Sequence, residues 1–316
     1  MRIGYFLSSE EYSPAELIEQ AKGAERAGFR GLWISDHYHP WVDAQGQSAF
    51  VWSMIGALSQ ATGLDITTAV TCPTVRIHPA VIAQAAATSA VLTGGRFRLG
   101  VGTGEALNEH IFGDAWPEEE VRLEMLEEAV AIMRGLWTGD NYSHHGKHYT
   151  VENARIYTLP EKPVEILISG FGPKSTALAG RIGDGYVNVA PDADMVRTFR
   201  ESGGAGKVTQ AGFKAAFADT AQEGARIAYQ KWPNAGVPGE LSQVLPSPKH
   251  FEQASQLVTE EMVAEAFVCG NDPEKHLEMI RKYADAGFEE IYVANTGPHY
   301  QGLFDLYARE ILPKIA

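Results

Sequence analysis

The sequence predicts a single (β/α)8 TIM barrel with insertions, spanning residues 1–316 as one domain. Three observations carry that expectation. Eight short runs of apolar, β-prone residues alternate with helix-patterned segments. No linker divides the chain into halves. The ionisable and glycine-rich motifs follow strands and precede helices, which is where a barrel gathers its active groups. Strand order is not written in one sequence, so a doubly wound sheet satisfies the same alternation, and no internal repeat is visible.

Taken in order, residues 3–7 read as a buried strand. Ser13-Pro14-Ala15-Glu16 then opens a helix, with serine at the N-cap, proline in the first turn and glutamate completing a capping box. Leu17, Ile18, Ala21 and Ala24 give this helix one buried face, and it stops near Gly28. A strand over 31–35 follows, then a helix near 50–61, a strand over 66–71, a helix near 79–92 and a strand over 97–102. The long amphipathic run "PEEEVRLEMLEEAVAIMRGLW" comes next. "NYSHHGKHYTV" reads as a hairpin, because Gly146 sits between two β-prone runs. Four more strands are expected at 164–169, 186–190, 213–218 and 291–294. The stretches 191–208 and 232–262 read as excursions from the pattern.

Composition narrows the function. Hydrophobic residues make up 45% and charged residues 21%, as in an ordinary soluble domain. A formal net charge of -14 argues against nucleic acid or an anionic membrane as partner. No apolar run approaches the length of a membrane span, and the first residues are too short and polar for a signal peptide. Cys72 and Cys269 lie far apart, in no metal-binding spacing, so a cytoplasmic protein without disulfides is expected.

The chemistry concentrates in two places. After the second strand, "SDHYHPW" spends a turn on Asp36, His37, His39 and Trp41. After the fourth, "LGVGTGEALNE" offers glycines for close backbone approach, then Glu105 and Asn108. Two readings compete: a metal site on His37-x-His39, or an organic site with one histidine as base. Barrel metallohydrolases with an H-x-H pair need further ligands at later strand ends, and "SGFGP", "NVAP" and "ANTGP" offer none, so no metal is expected. Each residue also has an ordinary reading: His37 solvated, Trp41 packed, Glu105 capping the helix beside it. Position at the strand ends favours the functional one. The run Gly100-x-Gly102-x-Gly104 departs from a dinucleotide fingerprint in its third glycine and its place in the chain. His144, His145 and His148 read as solvent-facing groups of the hairpin.

Together, "SDHYHPW", "TTAVTCPT", "HPAVIAQAAAT", "RFRLGVGTGEALNE" and "AGRIGDGY" resemble the bacterial luciferase-like superfamily. Within it they are most similar to the coenzyme F420-dependent dehydrogenases, typified by F420-dependent glucose-6-phosphate dehydrogenase. The resemblance spans nearly the whole chain and implies a luciferase-like barrel, a homodimer and hydride transfer between F420 and a CH–OH or carbonyl substrate. It places the deazaflavin against Asp36, Gly104, Glu105 and Asn108, above a non-proline cis peptide mapping to Ala69 and Val70. Ser169, Gly170, Phe171 and Gly172 are implied to hold the phosphate-bearing tail. His37 is the implied base, Trp41 a wall of the substrate space, and Glu105, in its acid form, a donor to the ring. Where relatives clamp a sugar phosphate, this chain aligns Val189, Asp192, Ser242 and Ala266, so an uncharged small-molecule substrate is expected. Lys249 and His250 are the alternative phosphate clamp. The competing functions are an FMN-dependent monooxygenase of the same superfamily and a non-catalytic deazaflavin- or flavin-binding protein.

Overall fold

The computed structural model describes residues 1–315. Eight parallel strands close on themselves: β1 (Arg2–Leu7), β2 (Gly31–Ile34), β3 (Asp65–Thr68), β4 (Phe97–Val101), β5 (Ile166–Ser169), β6 (Gly185–Asn188), β7 (Val208–Ala216) and β8 (Glu290–Asn295). β8 pairs with both β1 and β7, which completes the ring. The doubly wound alternative is thereby excluded, since an open sheet keeps two free edges. Helices flank the strands, and the expected capping box is present: Ser13 accepts from Glu16 N, and Ser13 N donates to the Glu16 carboxylate. That helix ends at Ala27, with Gly28 left-handed at φ 98°.

Two sequence expectations need correction. Residues 191–208 are no excursion: they carry the helix Ala193–Phe199, a π-type turn to Gly204 and the beginning of β7. Glycines and polar residues disguised an ordinary βα crossover, and β7 starts at Val208, five residues earlier than expected. Strand β3 stops at Thr68 rather than running to 71, because the Ala69–Val70 peptide is cis and turns the chain. Thr71 resumes pairing only as an isolated bridge to Val101. The excursion over 232–262 does stand apart from the repeat, as short helices, followed by an extra strand, Phe267–Cys269, on β7. The hairpin pairs Tyr142–His145 with Thr150–Ala154.

An aromatic and polar plug fills the barrel interior. Trp33 stacks on Tyr292 with centroids 4.6 Å apart and donates to Gln210 at 2.8 Å. Gln210 and Tyr292 both donate to Glu290, which also pairs with Arg98 at 3.1 Å. Gly4 is required beside this plug, since any Cβ there would run into the Tyr292 ring. With the bore stopped, open space is left above it, at the C-terminal ends of the strands.

Candidate active site

A cavity of about 280 Å³ opens at those strand ends. Phe6, Trp33 and Val187 rise into it from the barrel, and Ala69, Val70 and Gly102 add an apolar strip along one side. Glu10, His37, Trp41, Glu105 and Lys214 supply its polar and aromatic rim. A larger hollow of about 730 Å³ lies at the opposite end of the barrel, around Asp65, Phe97 and Glu165, away from these groups.

His37 is held from both sides. Its Nε2 lies 3.4 Å from Glu10 Oε1. Its Nδ1 lies 3.2 Å from the His39 carbonyl and 3.1 Å from Asn108 Nδ2. Asn108 Oδ1 accepts from the backbone N–H groups of Tyr38 and His39, at 2.9 and 3.1 Å, which fixes its amide. Its nitrogen is thereby turned toward His37 and Glu105 Oε2, the latter at 3.3 Å. Nδ1 thus faces an acceptor, the His39 carbonyl, and a donor, Asn108 Nδ2. The Nδ1–H tautomer donates to His39 and leaves the Nε2 lone pair free, whereas the other accepts from Asn108 and directs its Nε2–H at Glu10. Once Nε2 also takes a proton, Glu10 accepts it, so the imidazolium has an acceptor on each nitrogen. The Trp41 ring lies 5.1 Å from the imidazole and packs edge-on against Phe251.

Glu10 is the residue that sequence reasoning missed. It is 3% exposed and its second oxygen accepts from Ser35 Oγ at 2.7 Å. Ser9 bonds Ser35 through both its backbone nitrogen and its hydroxyl, so the loops after β1 and β2 are sewn together. The only signal was position: "SSEE" follows the first strand, the same placement that drew attention to His37.

Beneath the rim lies a second network. Asp36 accepts from Thr71 Oγ1 and Arg76, both at 2.8 Å, and Arg76 N donates to Glu109 at 2.6 Å. Burial pushes the Glu109 carboxyl up to about 7, with Arg76 pulling the other way. Asp36 and Asn108 are both buried and neither lines the cavity, so the structure puts them in support of the loops that do. Gly104 lies at the rim with φ 79°, and a Cβ there would stand 2.5 Å from Cys72 Sγ. Glu105 occupies the N-cap position of Ala106–Glu109 without making a side-chain cap, which leaves its carboxylate facing the cavity.

Ser169, Gly170 and Phe171 reach the same cavity from the end of β5. Gly172 is the N-cap of the helix Pro173–Ile182, whose first N–H groups have no partner within the helix. His39 turns away from His37 to the Leu107 carbonyl at 2.9 Å. The hairpin histidines pair with Glu128, Glu152 and Glu124.

At the aligned phosphate positions, Val189 and Ser242 line the cavity, whereas Asp192 and Ala266 do not. Asp192 caps the helix Ala193–Phe199, accepting from Asp194 N and Met195 N. Lys249 and His250 are exposed on the helix Pro248–Ser255 and outside the cavity, so this structure assembles no clamp from them.

Comparison with known proteins sharpens this picture. The luciferase-like monooxygenase family matches residues 1–290. An F420-dependent glucose-6-phosphate dehydrogenase of Nakamurella multipartita is 36% identical over all of this chain and 96% of its own length. The enzyme of that name from Microbacterium testaceum is 34% identical, over all of this chain and 97% of its own. A solved structure of an F420-dependent secondary alcohol dehydrogenase, in complex with an F420-acetone adduct, superposes with a TM-score of 0.93 at 32% identity, covering 100% of this chain and 99% of that one.

Proposed function

The chain belongs to the luciferase-like monooxygenase family, and from that premise we propose that it is a coenzyme F420-dependent oxidoreductase moving hydride between the deazaflavin and a CH–OH or carbonyl substrate. One observation carries the reading to this chain: His37, Trp41 and Glu105 converge on a single cavity floored by apolar and glycine residues, with the histidine backed by a buried carboxylate.

The residues present fit the coenzyme. Ala69, Val70 and Gly102 form a flat apolar seat for a tricyclic ring, and Glu105 faces the same space. At Gly172 a Cβ would meet nothing within 4 Å, so a phosphate-bearing tail has open access to the helix start. When bound, the deazaflavin supplies a carbon acceptor for a two-electron hydride. The chain's part is to fix the substrate and manage its proton. His37 Nε2 takes the hydroxyl proton of an alcohol, Glu10 stabilises the resulting imidazolium, and Asn108 holds the loop carrying the ring. Trp41 closes the substrate side and limits water. In the reducing direction the same imidazolium returns the proton.

The substrate we propose is a small uncharged alcohol or carbonyl compound rather than a sugar phosphate. A dianion needs several charge-assisted hydrogen bonds, and Val189 and Ser242 supply none that are charged. The same reading includes a homodimer. Phe50, Val81, Val91 and Leu92 are exposed at or beside the helices Val51–Ala61 and Pro79–Leu92, an apolar surface that a second copy would cover. It also includes action in the cytoplasm, in keeping with two unpaired cysteines.

The test is titration of the apoprotein with F420 and with FMN, followed by fluorescence. Binding of F420 at least tenfold tighter than FMN is the expected result. Equal affinity, or FMN retained through purification, favours the monooxygenase reading and refutes this one.

A further inference from the structure

Lys214 of β7 has no place in the scheme above, yet it lines the same cavity. Among the described residues, its ammonium makes no ion pair and no hydrogen bond, and it lies over the Trp232 ring, 4.3 Å from the centroid. An aromatic face satisfies a cation electrostatically but accepts no conventional hydrogen bond, so up to three N–H donors remain open toward the cavity. Trp232 cannot swing away to expose the lysine, because its indole N–H is bound to Glu11 at 2.8 Å and the ring is buried. Glu11 is itself fixed by Thr296 and Gly297. A donor group is thus held at the wall of a cavity that Ser242 and Glu10 also line, with no acceptor within hydrogen-bonding distance among the described residues.

Building on the oxidoreductase reading, we propose that Lys214 is a specificity-determining residue that binds a second, neutral oxygen of the substrate, next to the carbon whose hydroxyl faces His37. Both groups line the one cavity that the substrate enters, so a single substrate can reach both. Neutrality follows from the local charges. Glu10 and Glu105 line the same cavity as this single ammonium. With two carboxylates and one cation on the same lining, no net positive charge remains to hold an anion, whereas a neutral hydroxyl or carbonyl oxygen meets no such repulsion. The substrate class is therefore a vicinal diol, hydroxyketone or unphosphorylated sugar, rather than a plain alcohol or a 2-hydroxy acid.

The experiment compares 1,2-propanediol, 2-propanol and lactate as reductants of F420, using wild type, Lys214→Met and Lys214→Arg. Wild type should favour the diol in kcat/KM over both others, and Lys214→Met should lower the diol-to-propanol ratio at least tenfold, with Lys214→Arg restoring part of it. A second readout needs no coenzyme: lysines are 13C-methylated, the Lys214 signal is assigned by its loss in Lys214→Met, and ligands are titrated by NMR. That signal should move saturably with the diol and stay put with 2-propanol. If F420 fails to bind but the signal still responds to the diol, the oxidoreductase reading falls and the oxygen site stands. An unchanged diol-to-propanol ratio in Lys214→Met together with an unresponsive signal overturns the proposal. Preference for lactate that depends on Lys214 overturns its neutral-oxygen form.

Discussion

Replacing Glu10 by glutamine separates the role of a buried charge from that of a shape. The glutamine keeps an oxygen for Ser35 Oγ to donate to, so the stitch between the first two loops survives. What disappears is a negative charge 3.4 Å from His37 Nε2, in a pair whose side chains are 10% and 3% exposed. Two unit charges at that distance attract by about 5 kcal/mol at an effective dielectric constant of about 20. That figure is a ceiling, because bound substrate and Lys214 share the field of Glu10. With the amide oxygen kept for Ser35, the amide nitrogen faces His37 Nε2 and offers it no acceptor. Losing a quarter to a half of it costs about 1–2.5 kcal/mol in forming the imidazolium, which is roughly 5- to 70-fold in turnover. The assay is the rate at which a saturating alcohol reduces enzyme-bound F420, with coenzyme affinity measured separately by fluorescence. Affinity should hold while the rate falls. Wild-type turnover in Glu10→Gln refutes the idea that this carboxylate supports the base. A loss confined to coenzyme affinity refutes it equally.

Other consequences can be checked alongside. His37→Ala should lower turnover by roughly 10²–10⁴ while leaving F420 affinity nearly intact, and ordinary turnover would remove the histidine from the mechanism. Asn108→Ala frees the backbone N–H groups of Tyr38 and His39 and should cut turnover about tenfold without abolishing F420 binding; unchanged kinetics would show that the amide is not what holds the loop. Glu109 is raised to about 7 by burial, so the folded state binds its proton more tightly than the unfolded chain, and the stability this gives is lost as pH rises through 7. Glu109→Gln should therefore flatten the fall in melting temperature between about pH 4.5 and 7, and an unaltered slope would contradict the assignment. His276, fully buried, is pushed down to about 4, so its contribution is present above about pH 6.5 and lost as pH falls through 4. That amounts to about 3 kcal/mol, and His276→Gln should show a shallower acid limb in urea unfolding between pH 6.5 and 4.5.

The barrel was legible because its strands are short, apolar and regularly spaced, and because caps such as Ser13–Glu16 and Gly28 mark helix ends by local chemistry alone. Legibility failed where local chemistry says one thing and tertiary structure another. Residues 191–208 are rich in glycine and polar groups, yet Gly180 and Gly203 let the helix after β6 pack closely enough to complete a normal crossover. The end of β3 was overrun because an apolar Ala-Val pair continues the strand pattern; the cis bond between them was expected from the family resemblance alone, and the structure has it. The His144 cluster was legible for a simple reason: each histidine has a glutamate within reach on the neighbouring surface.

The site divides in the same way, and the division has a physical cause. Motifs report residues that are adjacent in the chain, so "SDHYHPW" and "LGVGTGEALNE" disclosed His37, Trp41 and Glu105, which share one cavity. They could not disclose which neighbours bury, charge or orient those groups. Asp36 and Asn108 were expected against the ring, and the structure adds a role that no motif states, tying loops together: Asp36 through Thr71 and Arg76, Asn108 through Tyr38 and His39. Glu10 comes from the loop after β1 and Lys214 from β7, the strands on either side of β8, and each stands in a sequence context that reads as ordinary surface or strand. Only barrel closure brings them to one rim. A charge becomes chemically informative when burial removes its water and geometry decides its partner. Glu10 then has His37 and Ser35, whereas Lys214 has an aromatic face and open donors. The first difference specifies how a proton is handled, and the second specifies what the substrate must bring.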